Sequence, residues 1–105
     1  MPEKLTLIGR LQAKPGKENA LRNALIKLVP LSRAEAGCIN YDLHEVLDTP
    51  GLFLLYENWT DRAALDLHFS LPHSQEFASI TLDLLAEPLQ VIAMRKITPP
   101  VSLNH

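Results

Sequence analysis

The sequence is poor in the features that mark several large classes of protein. Cys38 is its only cysteine, which excludes an intrachain disulfide and a cysteine-based metal site. The formal net charge is −2, with no excess of basic residues, so nucleic acid is not expected as a partner. No apolar run approaches the ~20 residues that a membrane span needs, and we expect no membrane contact. There is no glycine-rich phosphate loop, so the sequence predicts no nucleotide cofactor.

Size and the start of the chain set further expectations. The 105 residues suit one small domain, which we expect over residues 1–97, with a C-terminal tail at 98–105 that carries two prolines. The opening Met-Pro-Glu-Lys lacks the basic and then apolar pattern of a signal peptide. A cytoplasmic protein fits these features. Nearly half of the residues (47%) are apolar, which can supply a core for a domain of this size.

Hydrophobic periodicity predicts six regions of regular structure. Alternation indicates strands, a period near 3.6 indicates helices, and Pro and Gly mark the breaks. The expected elements in order are a strand over Leu5–Ala13, a helix over 17–36 interrupted by Pro30, two strands within Asn40–Trp59 joined by a turn at 48–51, a helix in two pieces broken at 71–74, and a strand over Leu89–Ile97. This order is that of the ferredoxin-like split βαβ fold, an α+β class with an antiparallel sheet.

The strand that follows the turn at 48–51 is apolar on both faces until its last residues. Phe53 and Leu55 alternate with Leu52 and Leu54, whereas an antiparallel strand with one wet face should alternate apolar and polar residues. The helices of a ferredoxin-like domain cover one sheet face only. We therefore expect the other face to be covered by a second copy, in a homodimer that packs sheet against sheet.

Several short motifs share their residues and their order with one protein family. They are Glu35-Ala36-Gly37-Cys38, Tyr41, the strand Phe53–Trp59, His68, and Pro72-His73 followed by Phe77. On these motifs the chain resembles the antibiotic biosynthesis monooxygenase family over roughly Leu5–Ile97. The resemblance implies a dimeric α+β barrel and a relationship to cofactor-free oxygenases of polycyclic phenols and of quinols.

Two other branches of the same superfamily offer alternatives. Haem-degrading relatives use an asparagine on the first strand together with a tryptophan and a histidine; Trp59 and His68 are similar, but Leu5–Ala13 contains no asparagine. A branch that isomerises a phosphorylated sugar shares the His68 and Pro72-His73 arrangement, with Arg10 and Arg62 as the nearest phosphate partners.

Three residues are candidates for catalysis. His68 lies in line with apolar positions of its helix, and a histidine pKa near neutrality suits a base that accepts a phenol proton; the alternative is a structural histidine. Glu57, if buried, would have a raised pKa and could act as an acid or base; the alternative is a partner for an arginine or a helix cap. Asn58 projects to the opposite side of the strand and could donate to an oxyanion, or lie exposed at the edge.

Four residues are candidates for substrate binding. Trp59 and Tyr41 offer flat surfaces for an aromatic ligand, with a core position and a dimer contact as their alternatives. Tyr41 and Tyr56 also carry hydroxyl groups. His73 follows Pro72 near the expected pocket, or is exposed to solvent. The four histidines show no close histidine and carboxylate spacing beyond the adjacent pair His44 and Glu45, whose side chains point to opposite faces, so we expect no metal.

The sequence thus favours a cofactor-independent monooxygenase that oxidises a hydroquinone-like or polyphenolic molecule with O₂. His68 would act as base or orienting group and Asn58 as oxyanion donor, with Trp59 and Tyr41 as walls of an aromatic slot. The alternatives are an isomerase of a small carbonyl compound, phosphorylated or not, and a dimeric module that binds an aromatic metabolite or haem without turnover.

Overall fold

The computed structural model describes residues 4–99, which form one four-stranded antiparallel sheet and three helices. The elements are β1 (Leu5–Gln12), α1 (Glu18–Arg33), β2 (Cys38–Glu45), β3 (Leu52–Trp59), α2 (Arg62–Ser70), α3 (Pro72–Leu84) and β4 (Gln90–Met94). The strand order is β2-β3-β1-β4, and every neighbouring pair is antiparallel. This confirms the predicted ferredoxin-like α+β fold. Within residues 4–99, no helix is both long enough and apolar enough to span a membrane.

The core lies between the sheet and the helices. Alternate residues of β1 and β3 are buried on one side of the sheet, as the period of two requires. We call this side the helix face, because it packs against the buried stripe Leu21, Leu25 and Leu28 of α1 and against Leu65 of α2. The strand residues of this cluster are Leu7, Leu11, Tyr41, Phe53, Leu55 and Trp59.

The opposite side of the sheet, called here the open face, carries apolar groups without helices over them. In the paired register, Ile8 of β1 lies between Tyr56 of β3 and Ile92 of β4. Tyr56 and Ile92 are 40% and 53% exposed. The open face is thus apolar along this row, whereas Thr6, Asn58 and Arg10 on the same face are polar; within residues 4–99 no helix covers it.

Several predicted boundaries differ from the structure. Helix α1 continues through Pro30, where we expected an interruption, and ends at Arg33, so Glu35 lies in the turn before β2. The helical region breaks at Leu71, within the predicted 71–74, but the second piece begins earlier than expected, at Pro72, because a proline at the first helical position gives up an N–H that would have had no partner. Strand β4 ends at Met94, three residues before the predicted end. Most of the predicted tail lies outside the described residues.

Candidate active site

A cavity opens on the helix face, above the row of paired residues Tyr41, Glu57 and Leu7. Beside this row stands Gly9, which has no side chain; the nearest atom to a Cβ built there is the Leu55 Cβ at 3.6 Å. The cavity volume is about 90 Å³. Its lining is mostly apolar and consists of Leu7, Gly9, Leu28, Tyr41, Leu55, Glu57, His68, Phe69, Ser74, Phe77, Ala78, Leu89 and Val91.

Glu57 is the acidic group of this cavity, and its side chain is 4% exposed. Its Oε1 accepts a hydrogen bond from the Trp59 indole Nε1–H at 3.0 Å. Burial disfavours the ionised form and raises the pKa of Glu57 to about 7, although the bond from Trp59 acts in the opposite direction. A carboxyl group with a pKa near neutrality can both accept and donate a proton at pH 7.

His68 is directed into the same cavity by helix α2. The Asp61 carboxylate accepts from the Ala64 backbone N–H at 2.9 Å, which caps the helix and sets where it begins. Leu65 and His68, three residues apart, then form its buried side. The His68 ring centroid lies 4.6 Å from that of Trp59. Burial lowers the pKa of His68 below 6.5, against the raising effect of Glu35, so the neutral imidazole predominates at pH 7.

Glu35 is the main residue of this region to which the sequence assigned no function. Its Oε2 lies 2.7 Å from His68 Nδ1 and 2.7 Å from His73 Nε2. One carboxylate oxygen therefore holds two imidazole rings, one from α2 and one from α3. If Nδ1 of His68 is protonated and donates this hydrogen bond to Glu35, Nε2 is left as the basic nitrogen of the ring. Ser74 Oγ lies 3.4 Å from Nε2.

The structure brings together some of the predicted site residues and separates others. Tyr41, Glu57 and His68 line the cavity. Trp59 is fully buried behind them and supports Glu57 and His68 rather than forming a wall. His73 lies on the far side of Glu35 and lines a second groove between α1 and α3.

Asn58 and Tyr56 belong to the open face and do not line the cavity. Asn58 is 2% exposed; its Oδ1 accepts from Thr6 Oγ1 at 2.6 Å, and its Nδ2 donates to Asn40 Oδ1 at 2.9 Å. Alternation along β3 places its side chain on the side opposite to Glu57. The predicted slot, with Asn58 as oxyanion donor beside His68, is therefore not formed within one chain.

The comparison with known families adds to this geometry. Residues 5–79 match the model of the family described as antibiotic biosynthesis monooxygenase. The chain belongs to the antibiotic biosynthesis monooxygenase family. This member is 34% identical over 94 residues to a Mycobacterium tuberculosis protein named "Putative monooxygenase Rv0793", and the match covers 90% of this chain and 92% of that one. It is also 36% identical over 87 residues to the uncharacterized Synechocystis protein sll1783, of which the match spans 59%.

Solved structures give the same picture of the fold. The crystal structure of PA3566 from Pseudomonas aeruginosa superposes on this family member with a TM-score of 0.88 at 38% sequence identity, covering 93% of this chain and 98% of that one. The similarity extends over nearly the whole of both chains, so the family fold includes the elements that surround the cavity.

Sequence reasoning missed several lining residues of this monooxygenase family member. Phe69, Phe77 and Val91 were given no function from the sequence, since an apolar side chain in a cavity wall has the same pattern as one in a core. Gly9 carried a signal, because a glycine inside a strand often marks a close approach or an open space. Glu35 had none, since the histidines that contact it are 33 and 38 residues away in the chain.

Proposed function

We propose that this chain is a monooxygenase that oxidises a hydroquinone-like phenol with O₂ and needs no flavin or metal for the reaction. The observation that carries the proposal is a buried acid with a pKa of about 7, Glu57, facing a largely apolar cavity that also contains a neutral histidine, His68. Family membership and the name of the Mycobacterium tuberculosis relative support the monooxygenase class.

The size of the cavity favours a substrate with one aromatic ring. Its volume of about 90 Å³ is smaller than the ~150 Å³ apolar cavity that holds benzene in a protein core. A single aromatic ring would therefore need some movement of the lining side chains, and a fused polycyclic phenol would need more. Tyr41 and Glu57 both line the cavity and carry polar groups that could bind the phenolic oxygens.

The proposed chemistry uses electrons that the substrate already carries. His68 Nε2 accepts the phenolic proton, and the phenolate passes one electron to O₂. The resulting radical pair combines, which forms a carbon–oxygen bond, and His68 returns its proton to the terminal oxygen to give a hydroperoxide. The ring carbon then gives its hydrogen as a proton to Glu57, which replaces the proton donated to the departing oxygen, and the O–O bond breaks to release water and leave a quinone carbonyl. One oxygen atom of O₂ thus enters the product and the other leaves as water.

Glu57 is the proposed proton donor in this reaction. Its Oε1 is held by Trp59, so Oε2 is the oxygen available to a ligand. In its protonated form it donates a hydrogen bond, and then a proton, to the peroxide oxygen that departs as water. A dry, apolar wall strengthens this interaction and slows the loss of the radical intermediates to solvent.

We also propose that the protein is a homodimer that packs through the open face. The exposed groups Tyr56, Ile92 and Met94 form part of an apolar surface on β3 and β4. Burying such a surface against a second copy removes it from water without any change in the cavity, which lies on the other side of the sheet.

Oxygen uptake by purified, chelator-treated protein tests the reaction. A panel of single-ring hydroquinones and phenols is measured against no-enzyme controls for autoxidation, with ¹⁸O₂ used to trace one labelled oxygen into the quinone. We expect enzyme-dependent uptake that requires O₂ and survives chelators. Conversion without O₂ would indicate an isomerase, and tight binding without product would indicate a binding module; either result would refute the proposal.

Substitution of His68 tests the assignment of the base. His68→Ala should lower turnover by about a hundredfold or more, because a positioned general base contributes about that much. His44→Ala is the matched control, since His44 is an exposed histidine on β2 outside the cavity, and should retain full activity. An unchanged rate in a folded His68→Ala variant would remove His68 from the mechanism.

A further inference from the structure

Three potential metal ligands converge at one point of the fold. Glu35 follows α1, His68 lies on α2, and His73 is the second residue of α3. One ligand atom from each of these residues lies within 4.8 Å of the others. Each side chain is largely buried, with exposed fractions of 9% for Glu35, 5% for His68 and 18% for His73.

The carboxylate of Glu35 has an unused oxygen at this point. Its Oε2 contacts both imidazoles, while its Oε1 is buried and has no hydrogen-bond partner among the described residues 4–99. A buried carboxylate oxygen without a partner is costly, and native proteins commonly satisfy such an atom with water or an ion.

We propose that Glu35, His68 and His73 bind one divalent first-row transition-metal ion, of which Zn²⁺ is the representative probe. Two imidazole nitrogens and one carboxylate oxygen form a donor set that Zn²⁺ and its neighbours accept, whereas Mg²⁺ and Ca²⁺ prefer oxygen alone. The fourth position is left to water, as in zinc sites with three protein ligands.

The distances require only a local adjustment. Metal–ligand bonds of 2.0–2.2 Å place tetrahedral ligands about 3.3 Å apart. The present 2.7 Å contacts of Glu35 Oε2 are somewhat shorter, and the separations within the cluster reach no more than 4.8 Å. Shifts on the order of an ångström by the three side chains, or use of the free Oε1, would complete the geometry.

The groove between α1 and α3 supplies a route for the ion and for its water ligand. His73 lines this groove, which is open to solvent and is also lined by one cation and one anion, Lys27 and Glu76. The bound ion would join the α1–β2 turn to α2 and α3 and should therefore stabilise the fold. The proposal concerns binding alone. An ion on His68 Nδ1 would leave the proton on Nε2, which could then not act as the base, so the proposed oxidation belongs to the metal-free form.

Titration of untagged, chelator-stripped protein with Zn²⁺, followed by calorimetry, tests the site. We expect one equivalent per chain and a rise in Tm of at least about 5 °C at a hundredfold excess over Kd. Co²⁺ should give the visible absorption of a four-coordinate ion. Glu35→Gln and His73→Gln should each weaken binding at least about tenfold, while His44→Ala should bind as the wild type does.

Two variants keep the test decisive. Should Glu35→Gln fail to fold, His73→Gln removes a partly exposed ligand at the protein surface and leaves the rest of the cluster in place. The proposal is overturned if wild-type protein binds less than one equivalent, if the folded ligand variants bind as tightly as wild type, or if His44→Ala loses the site.

Discussion

At the scale of single residues, the surroundings of an ionisable side chain can change its pKa so far that two residues of the same type behave differently. Glu57 and Glu45 both lie on strands. Burial raises the pKa of Glu57 to about 7, whereas hydrogen bonds from Arg22 and the Gly51 amide lower the pKa of the exposed Glu45. The first is suited to proton transfer at neutral pH and the second is a surface ion pair.

The raised pKa of Glu57 predicts a pH dependence of stability that needs no substrate. Between its ordinary value of 4.5 and about 7, the folded chain keeps a proton that the unfolded chain has lost. The free energy of unfolding should therefore fall as pH rises through this window, by roughly 3 kcal/mol, and the contribution is fully present below pH 4.5. Glu57→Gln, which cannot ionise, should lack this component.

Chemical denaturation at pH values from 4 to 8 measures the free energy of unfolding. The difference in this free energy between wild type and Glu57→Gln isolates the contribution of the Glu57 carboxyl group. Glu45→Gln is the matched control, since the pKa of Glu45 is shifted in the opposite direction. Parallel curves for wild type and Glu57→Gln would contradict a raised pKa and would weaken its proposed function as a proton donor.

At the scale of elements, helix α2 is placed by a close contact with the turn before β2. A Cβ built on Gly37 would lie 2.3 Å from the Ala64 Cβ and 3.2 Å from Thr60 Oγ1. The absence of a side chain at Gly37 lets α2 approach the β2 end of the sheet, and the same approach carries His68 to Trp59 and Glu35. A displacement of α2 would therefore move the candidate base.

Gly37→Ala should destabilise the protein by about 1–3 kcal/mol, because the added methyl group overpacks the contact with α2. The second change Ala64→Gly removes the clashing Cβ and should recover part of the loss, although glycine inside a helix costs about 1 kcal/mol by itself. The measurement is a double-mutant cycle of denaturation midpoints. Strictly additive effects of the two substitutions would show that this contact does not position α2.

At the scale of the whole molecule, the two faces of the sheet differ. The helix face encloses the cavity, and the open face carries the apolar row of Tyr56, Ile8 and Ile92. The proposed dimer would bury the open face without blocking the cavity on the helix face.

Ile92→Asp should convert the proposed dimer into a monomer, because it places a charge in the apolar row of the open face beside Ile8. Leu82→Asp is the matched control, since Leu82 on α3 is 80% exposed and lies away from this face. Sedimentation equilibrium gives the masses. A wild-type monomer, or an Ile92→Asp variant that keeps the wild-type mass, would refute an interface through the open face.

Sequence patterns alone were sufficient for the order of the elements and the fold class. The alternation of β3 and the apolar stripe of α1 are local, and each can be recognised within a few residues. The same alternation separates Glu57 from Asn58. The first turn of α3 was misjudged because Pro72 can either break a helix or begin one, and the neighbouring residues do not distinguish the two.

Only the tertiary structure decided which chemical groups meet. Glu35 contacts His68 and His73 across 33 and 38 residues, and such contacts depend on the packing of three separate elements rather than on spacing. The pKa of Glu57 depends likewise on how completely α2 and α3 exclude water from the cavity. The sequence by itself determined the helices and strands and their buried faces, since these follow from the local period of apolar residues. The protonation states, hydrogen-bond partners and shape of the site depend on burial by residues that are distant in the chain, and this burial exists only in the folded protein.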